Sequence, residues 1–506
     1  MKKLLLLLAL SLGSWLPTQA QYRTPGTGVR WNLAQLLAAS GGYVTADGST
    51  FQINDTIRLS ARDTLDIRGN ATIKMASLAL FYVDGVLRIN PRDSVKVTAM
   101  DPTKPFHSFW FSATSEGSEL RKTVVEYGGG IKVVDASLVM DSCVVRYQVS
   151  AIGTKATNSG AISLSGGIPR ITNCRIYGNA RSGILSPSNR PTSPIIRNNV
   201  LVANSTENGN WPQINLGIGG ATPIIIQGNL VVGRYLMAGG ISISNLLGTS
   251  AVSQVQIRRN IVRNNRYGIA IVGGNITSYI TQNIVSDNNI NPNAQTGGSG
   301  LNFNGTQTQT GVVSRNIIRG NLYGVTLQRS NATTPAPRVS FGDLTSLDTT
   351  NVGRNLLTGN GNGGQIYDIY NNTAESFKAE NNDWGTNFVT EIESHIYHQP
   401  DNAALGLVDY LPFRNTVLAA RPAQEALTTA VYPNPATSFV TFELGASAAP
   451  AELRVFDLTG RVVATYAAKP AQGRLTFSTR ALAAGLYTYR LTQESTTSAG
   501  KFAVAR

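Results

Sequence analysis

Cysteine is nearly absent from this chain: Cys143 and Cys174 are the only two in 506 residues, too few for a disulfide-framed scaffold. Charged residues are sparse too, at 14%, which is low for a cytosolic protein. The shortage of acid is sharpest in the middle of the chain. Between Ser142 and Gly342 the only acidic residues are Glu207 and Asp287, against sixteen Arg and Lys. A calcium cage needs six to eight oxygen ligands, and glycoside hydrolysis needs a matched carboxylate pair. Two carboxylates in separate segments supply neither. The three histidines, His107, His395 and His398, all lie outside this stretch. The last two sit beside Glu391 and Asp401 without an assured third ligand. No catalytic set, metal or cofactor is therefore assigned. Helical periodicity is missing from the same stretch, and past the N-terminus no apolar run approaches the roughly 20 residues of a membrane span.

What the chain has is repetition. A short phrase returns from about Ser142 to Asn382: an apolar residue, any residue, a polar one, then Asn or Cys followed by two aliphatics. Ile196-Arg197-Asn198-Asn199-Val200-Leu201 and Ile257-Arg258-Arg259-Asn260-Ile261-Val262 are examples. Alignment places Cys143, Cys174, Asn199, Asn229, Asn260, Asn283, Asn316, Asn355 and Asn382 in one column, at steps of 23 to 39 residues. A polar residue recurring once per irregular period predicts an all-β solenoid of about eleven coils. Each coil has a second strand opened by Gly and an aliphatic residue, as at Gly240-Ile241 and Gly300-Leu301. Outward positions of these strands read Ser242, Ser244, Ala270, Asn302, Asn304, Thr326 and Gln328. Inward Asn side chains would satisfy turn backbone groups that burial otherwise leaves costly. The two cysteines would either pack as thiols or bridge adjacent coils.

The flanks divide as follows. Lys2-Lys3, the run Leu4 to Leu12 and Thr18-Gln19-Ala20 predict a secretory signal peptide over residues 1–20, cleaved after Ala20. Residues 21–45 read as an N-terminal cap with a short helix around Leu33 to Leu37. The solenoid occupies 46–413 and a linker 414–430. Residues 431–506 return to period-two strands separated by Gly-bearing turns, which predicts a small β-sandwich.

Two resemblances sharpen this reading. The Asn-bearing coils, closed by Asn381-Asn382-Asp383-Trp384-Gly385-Thr386, resemble the right-handed parallel β-helix family, the pectin lyase-like fold. The resemblance implies three strands per coil and an inward Asn ladder. The C-terminal segment resembles the type A sorting domain of the type IX secretion system of Bacteroidota. The matching phrases carry Pro433, Asn434, Pro435, Gly460, Gly485, Tyr487 and Lys501. That resemblance implies a partnership with the secretion machinery, then release or linkage to surface lipopolysaccharide. Asp55-Thr56-Ile57, Asp63-Thr64-Leu65, Asp93-Ser94-Val95 and Asp348-Thr349-Thr350 resemble the O-glycosylation sequon of the same phylum.

Arginine is the remaining signal. Arg259, Arg315 and Arg354 immediately precede ladder residues, and Arg263 and Arg319 follow them by three, with Tyr267 and Tyr323 nearby. A basic stripe of this kind would bind the carboxylates or sulfates of an anionic polysaccharide, or would simply keep the solenoid soluble. The functional expectation is a secreted or surface-anchored binding or structural module, with no nucleic acid partner. The alternative is a polysaccharide lyase or another carbohydrate-active enzyme.

Overall fold

A computed structural model describes residues 21–157, 160–331, 333–414, 430–444, 449–457, 460–493 and 496–505. The expected signal peptide and nearly all of the expected linker lie outside them. The chain forms two compact units, one up to residue 416 and one from 417 onward.

The first unit is a parallel β-solenoid of three sheets with 14, 13 and 12 strands. More rungs are present than the phrase count predicts, because strands also form where the phrase is absent. Residues 21–45 do more than cap the stack: Gln21–Arg23 and Arg30–Trp31 pair in parallel with Thr56–Leu59 and Thr64–Ile67. The predicted helix spans Leu33–Ala39, held by a capping box between Asn32 and Gln35, and buries Leu36. This reciprocal bonding satisfies backbone donors that open a helix.

The coil geometry follows from one corner. At the passage from the 12- to the 13-stranded sheet, the residue before each ladder position is left-handed. The φ values run from 55° to 59° at Ser142, Asn173, Asn198, Arg259, Gln282, Arg315, Arg354 and Asn381, with Gly228 at 68°. That conformation swings the corner residue outward and aims the next one into the core. The inward amides then bond along the stack. Asn260 Nδ2 donates to Asn283 Oδ1 at 2.9 Å, Asn283 to Asn316 at 2.9 Å, and Asn316 to Asn355 at 2.9 Å. Each amide also donates to a carbonyl of the preceding rung, as Asn316 does to Ile280 O at 2.9 Å. At the head of the column Cys143 and Cys174 are free, buried thiols. They donate to the carbonyls of Leu120 and Thr172, each at 3.1 Å.

Five residues beyond the first column a second ladder runs through Gln148, Asn179, Asn204, Asn265, Asn288, Asn321 and Asn360. Its own left-handed corners include Tyr147, Asn264 and Asp287. Its last link, Asn360 Nδ2 to the fully buried Asp368 Oδ1, is 2.7 Å. Between the ladders lie only three-residue strands such as Ile261–Arg263 and Ile317–Arg319. The second column breaks where Arg234 stands: Gln213 takes the Asn204 amide instead at 2.8 Å, and Asn265 Oδ1 is left without a partner.

The Gly-opened strands have a steric cause. A Cβ on Gly268 would sit 2.4 Å from the Gly300 carbonyl oxygen, and one on Gly240 2.4 Å from that of Gly268. Gly268→Ala should therefore cost about 1–3 kcal/mol through overpacking, read as a lowered Tm. Gly69→Ala, where a Cβ meets nothing within 4 Å, should leave the Tm unchanged.

The second unit is a pair of antiparallel sheets. Val431–Tyr432, Phe439–Glu443 and Arg474–Ser478 form a three-stranded sheet. Ala451–Phe456, Val462–Ala468, Gly485–Gln493 and Thr496–Val504 form a four-stranded one. Val440, Phe442, Leu453, Val455, Leu491 and Phe502 are its fully buried core. Of the residues expected to carry the sorting signal, Asn434 accepts the Ala503 N–H at 2.9 Å. Tyr487 stacks on Phe502 at 5.9 Å and donates to Ala483 O at 2.8 Å. Gly460 takes a turn at φ 84°, Gly485 pairs with Val504, and the exposed Lys501 pairs with Thr488. Pro433 and Pro435 flank Asn434 in the connection between Val431–Tyr432 and Phe439–Glu443.

Candidate functional site

The outward face of the 14-stranded sheet carries side chains in strict columns, because the parallel pairing is in register. Asn215, Ser242, Ala270, Asn302, Thr326 and Tyr370 stand on six successive rungs. Ser244, Val272, Asn304, Gln328 and Asn372 form a second column beside them. Together they floor a groove of about 720 Å³ whose lining contains no charged residue. Asn210, Pro212 and Ala294 to Gly297 wall it from loops that enter the sheet, and Leu246 from a loop that leaves it. The first wall is anchored from behind: Arg181 lies 4.6 Å over the Trp211 ring and pairs with Glu207 at 2.9 Å. Arg266 Nε donates to the Thr296 carbonyl at 2.8 Å.

Three tyrosines face the groove. Tyr267 lies flat on Gly239, where a Cβ would come within 2.2 Å of the ring. Burial pushes its hydroxyl up to about 12, so at neutral pH it is a protonated donor and not a base. Tyr323 meets Tyr370 edge-on at 5.2 Å, and Tyr370 stacks on Tyr397 at 4.7 Å. Burial likewise raises the Tyr370 hydroxyl.

Among the described residues, the amides of Asn215, Asn302, Asn304 and Gln328 have no hydrogen-bond partner within the protein, although all four are half-buried. The ladder amides, by contrast, are bonded along the stack, the Asn265 oxygen excepted. Amides and hydroxyls both donate and accept, so the floor is suited to a ligand rich in hydroxyl groups. It offers no carboxylate, imidazole or amine for proton transfer.

The expected arginine–tyrosine stripe is spread over three faces. Arg259, Arg315 and Arg354 are exposed left-handed corner residues. Arg263 and Arg319 end strands of the 13-stranded sheet. Tyr267 and Tyr323 belong to the groove. The alignment kept these residues in phase from coil to coil, but a few residues along a coil carry the chain round a corner to another wall. Arg259 and Arg315 do share a second hollow of about 560 Å³ with Arg258, Tyr279 and Gln282, rimmed by Asp348 to Thr350. Arg259 Nε donates to Gln282 Oε1 at 3.0 Å and Arg258 Nε to Gln227 Oε1 at 3.1 Å. Arg258 was missed from sequence, because the residue before the corner gives no columnar signal of its own.

His395 and His398 face different carboxylates: Asp368 lies 3.1 Å from His395 Nδ1 and Glu393 2.9 Å from His398 Nε2. The His398 Nδ1 accepts the Val408 N–H at 3.0 Å. Among the described residues no three His, Cys, Asp or Glu side chains are arranged to hold a metal ion. Nor is any helix among them long and apolar enough to cross a membrane.

Residues 129–307 match the family model of the right-handed beta helix region, and residues 430–505 that of the secretion system C-terminal sorting domain. No curated protein sequence matches the chain. Among solved structures it is similar to tailspike protein gp49 of Acinetobacter baumannii bacteriophage Fri1, a capsular polysaccharide depolymerase. That likeness has 9% identity and a TM-score of 0.27, over 87% of this chain and 74% of that one. Tailspike protein 2 of Escherichia coli O157:H7 bacteriophage CAB120 is similar at 10% identity and a TM-score of 0.21, over 94% of this chain and 68% of that one. With three parallel sheets in one unit, two antiparallel sheets in the other and a family model matched on each, the chain is a right-handed parallel β-helix protein carrying a C-terminal sorting domain of the type IX secretion system.

Proposed function

We propose that this exported protein binds glycan, and that the groove on the 14-stranded sheet is its binding face. The observation carrying this reading is the set of unpartnered amides of Asn215, Asn302, Asn304 and Gln328, presented in register beside tyrosines. Such a surface matches sugar hydroxyls, while the ring edges and faces of tyrosine suit the apolar side of a sugar. Export begins with a signal peptide cleaved after Ala20 and ends with the protein free or linked to lipopolysaccharide outside the cell.

Affinity electrophoresis through gels containing a panel of polysaccharides tests the reading. Each amide hydrogen bond contributes about 0.5–1.5 kcal/mol, so Asn302→Ala with Gln328→Ala should weaken retardation about tenfold. Both positions face outward, which leaves the fold intact. Retardation unchanged in this variant would overturn the assignment.

The arginine hollow supports a second reading, an anionic-polysaccharide site. Among the described residues no carboxylate pairs with Arg258, Arg259 or Arg315, and guanidinium forks fit carboxylate and sulfate. If that site dominates, Arg259→Gln with Arg315→Gln abolishes retardation by acidic polymers and the groove variant does not. Polyuronate cleavage is checked alongside by the absorbance of unsaturated products, whose appearance would favour the lyase reading.

A further inference from the structure

We infer that the groove takes an uncharged polysaccharide laid along the solenoid axis, about one sugar per rung over about six rungs; this rests on the groove being the glycan-binding face. The case for an uncharged chain is the lining itself. Its floor and walls are amide, hydroxyl, aliphatic and tyrosine groups without a single cation. Arg266, behind the wall, is turned to the Thr296 carbonyl and holds the loop in place. A carboxylate lowered into this groove would shed water against neutral groups only, which disfavours it. An uncharged sugar loses nothing of that kind, because its hydroxyls meet the free donors and acceptors of Asn215, Asn302, Asn304 and Gln328. The same chain keeps unpaired cations elsewhere, on the hollow around Arg259 and Arg315, so the neutrality of the groove is local.

The case for the axial direction is spacing. In-register rungs repeat every 4.8 Å or so along the stack, close to the advance per residue of an extended pyranose chain. From Asn215 to Tyr370 the first column crosses five such steps, about 24 Å in all. Across its middle the column is small and apolar, Ala270 beside Val272, where the C–H face of a ring can lie close. At its C-terminal end Tyr370 is backed by Tyr397 and flanked by Tyr323, while its neighbour in the same column of the preceding rung is the small Thr326. A tyrosine set there closes the track with a platform for one terminal sugar.

The test is calorimetric titration of the full chain with uncharged oligosaccharides of two to eight sugars, in cello-, manno- and xylo-series, and with oligogalacturonates of the same lengths. Each titration is run in low and high NaCl. The expected result is an affinity that climbs with length in at least one uncharged series, levels off near six sugars and does not change with salt. Tyr370→Ala should lower the plateau about tenfold without shifting the short members. Binding confined to the oligogalacturonates, weakened by salt and lost in Asn302→Ala with Gln328→Ala, would overturn the uncharged assignment while leaving the groove reading in place. An affinity independent of length would overturn the axial lay. Saccharide binding that ignores the groove variant altogether would overturn the groove reading and this inference with it.

Discussion

Deletion of residues 431–506 is expected to leave the β-helix inside the cell envelope of a host with a type IX system, with no protein reaching the medium or outer surface. The effect should be close to all-or-none, because the deleted segment is a folded recognition unit and not a tail of loose signals. It has its own buried core around Phe442, Leu453 and Phe502, and its matched family directs secretion. Its named motifs hold each other in place: Asn434 accepts the Ala503 N–H, and Tyr487 stacks on Phe502. Phe502→Asp should reproduce the deletion by placing a carboxylate in that core without a partner, a change costing several kcal/mol. Lys501→Ala, at an exposed position, leaves the fold intact and asks whether the charge itself is read. Fractionation with immunoblotting decides the matter. Truncated protein outside the outer membrane in wild-type amounts would show that export does not depend on this domain.

Asn316→Ala and Arg315→Gly should differ sharply although the residues are neighbours. Asn316 is a link of the buried column. Its removal strips the acceptor from the Asn283 N–H and a donor from the Ile280 carbonyl. Each orphaned buried group costs about 1–3 kcal/mol, so a loss of about 2–6 kcal/mol is expected, seen as a lowered denaturation midpoint. Arg315 is exposed in a left-handed corner at φ 59°. A non-glycine residue there gives up roughly 1–2 kcal/mol, and glycine carries an unfolded-state penalty of about 0.5–1 kcal/mol. Arg315→Gly should therefore leave stability within about 1 kcal/mol of the parent or slightly above it. Equal destabilisation by the two would mean that the amide column is not what holds the corner.

The contrast shows what could be read from sequence. The first column was legible because inward polar residues at a corner are rare in type and recur once per coil, so Asn199 to Asn382 align without any structure. The rungs before Val124 lack that residue, which is why the coil count fell short. Strands built from residues 21–31 were hidden because two- and three-residue pairings leave no periodicity. The groove was half legible: its floor positions Ser242, Asn302 and Gln328 stand out as outward residues of Gly-opened strands. Their union with Tyr267 and Tyr370 was not, since the walls come from loops of irregular length. The arginine stripe was also half legible: alignment by coil put Arg259, Arg315 and Arg354 on one corner, but nearness in sequence did not reveal the turns that carry Arg263, Arg319 and the two tyrosines to other walls.

The amide columns also give the solenoid a direction. From Asn199 to Asn382 of the first column, the amide NH₂ and the backbone N–H of one rung both donate to the side-chain oxygen of the next. A rung therefore keeps two donors waiting until its C-terminal neighbour is laid down. At their C-terminal ends the two columns are closed differently. Asn382 turns its amide back to the carbonyls of Phe341 and Ala379, and the second column runs into the carboxylate of Asp368, which is an acceptor when ionised and ends the relay. The one-way array thus ends inside the chain's own last coils, with both columns closed by groups other than a further ladder amide.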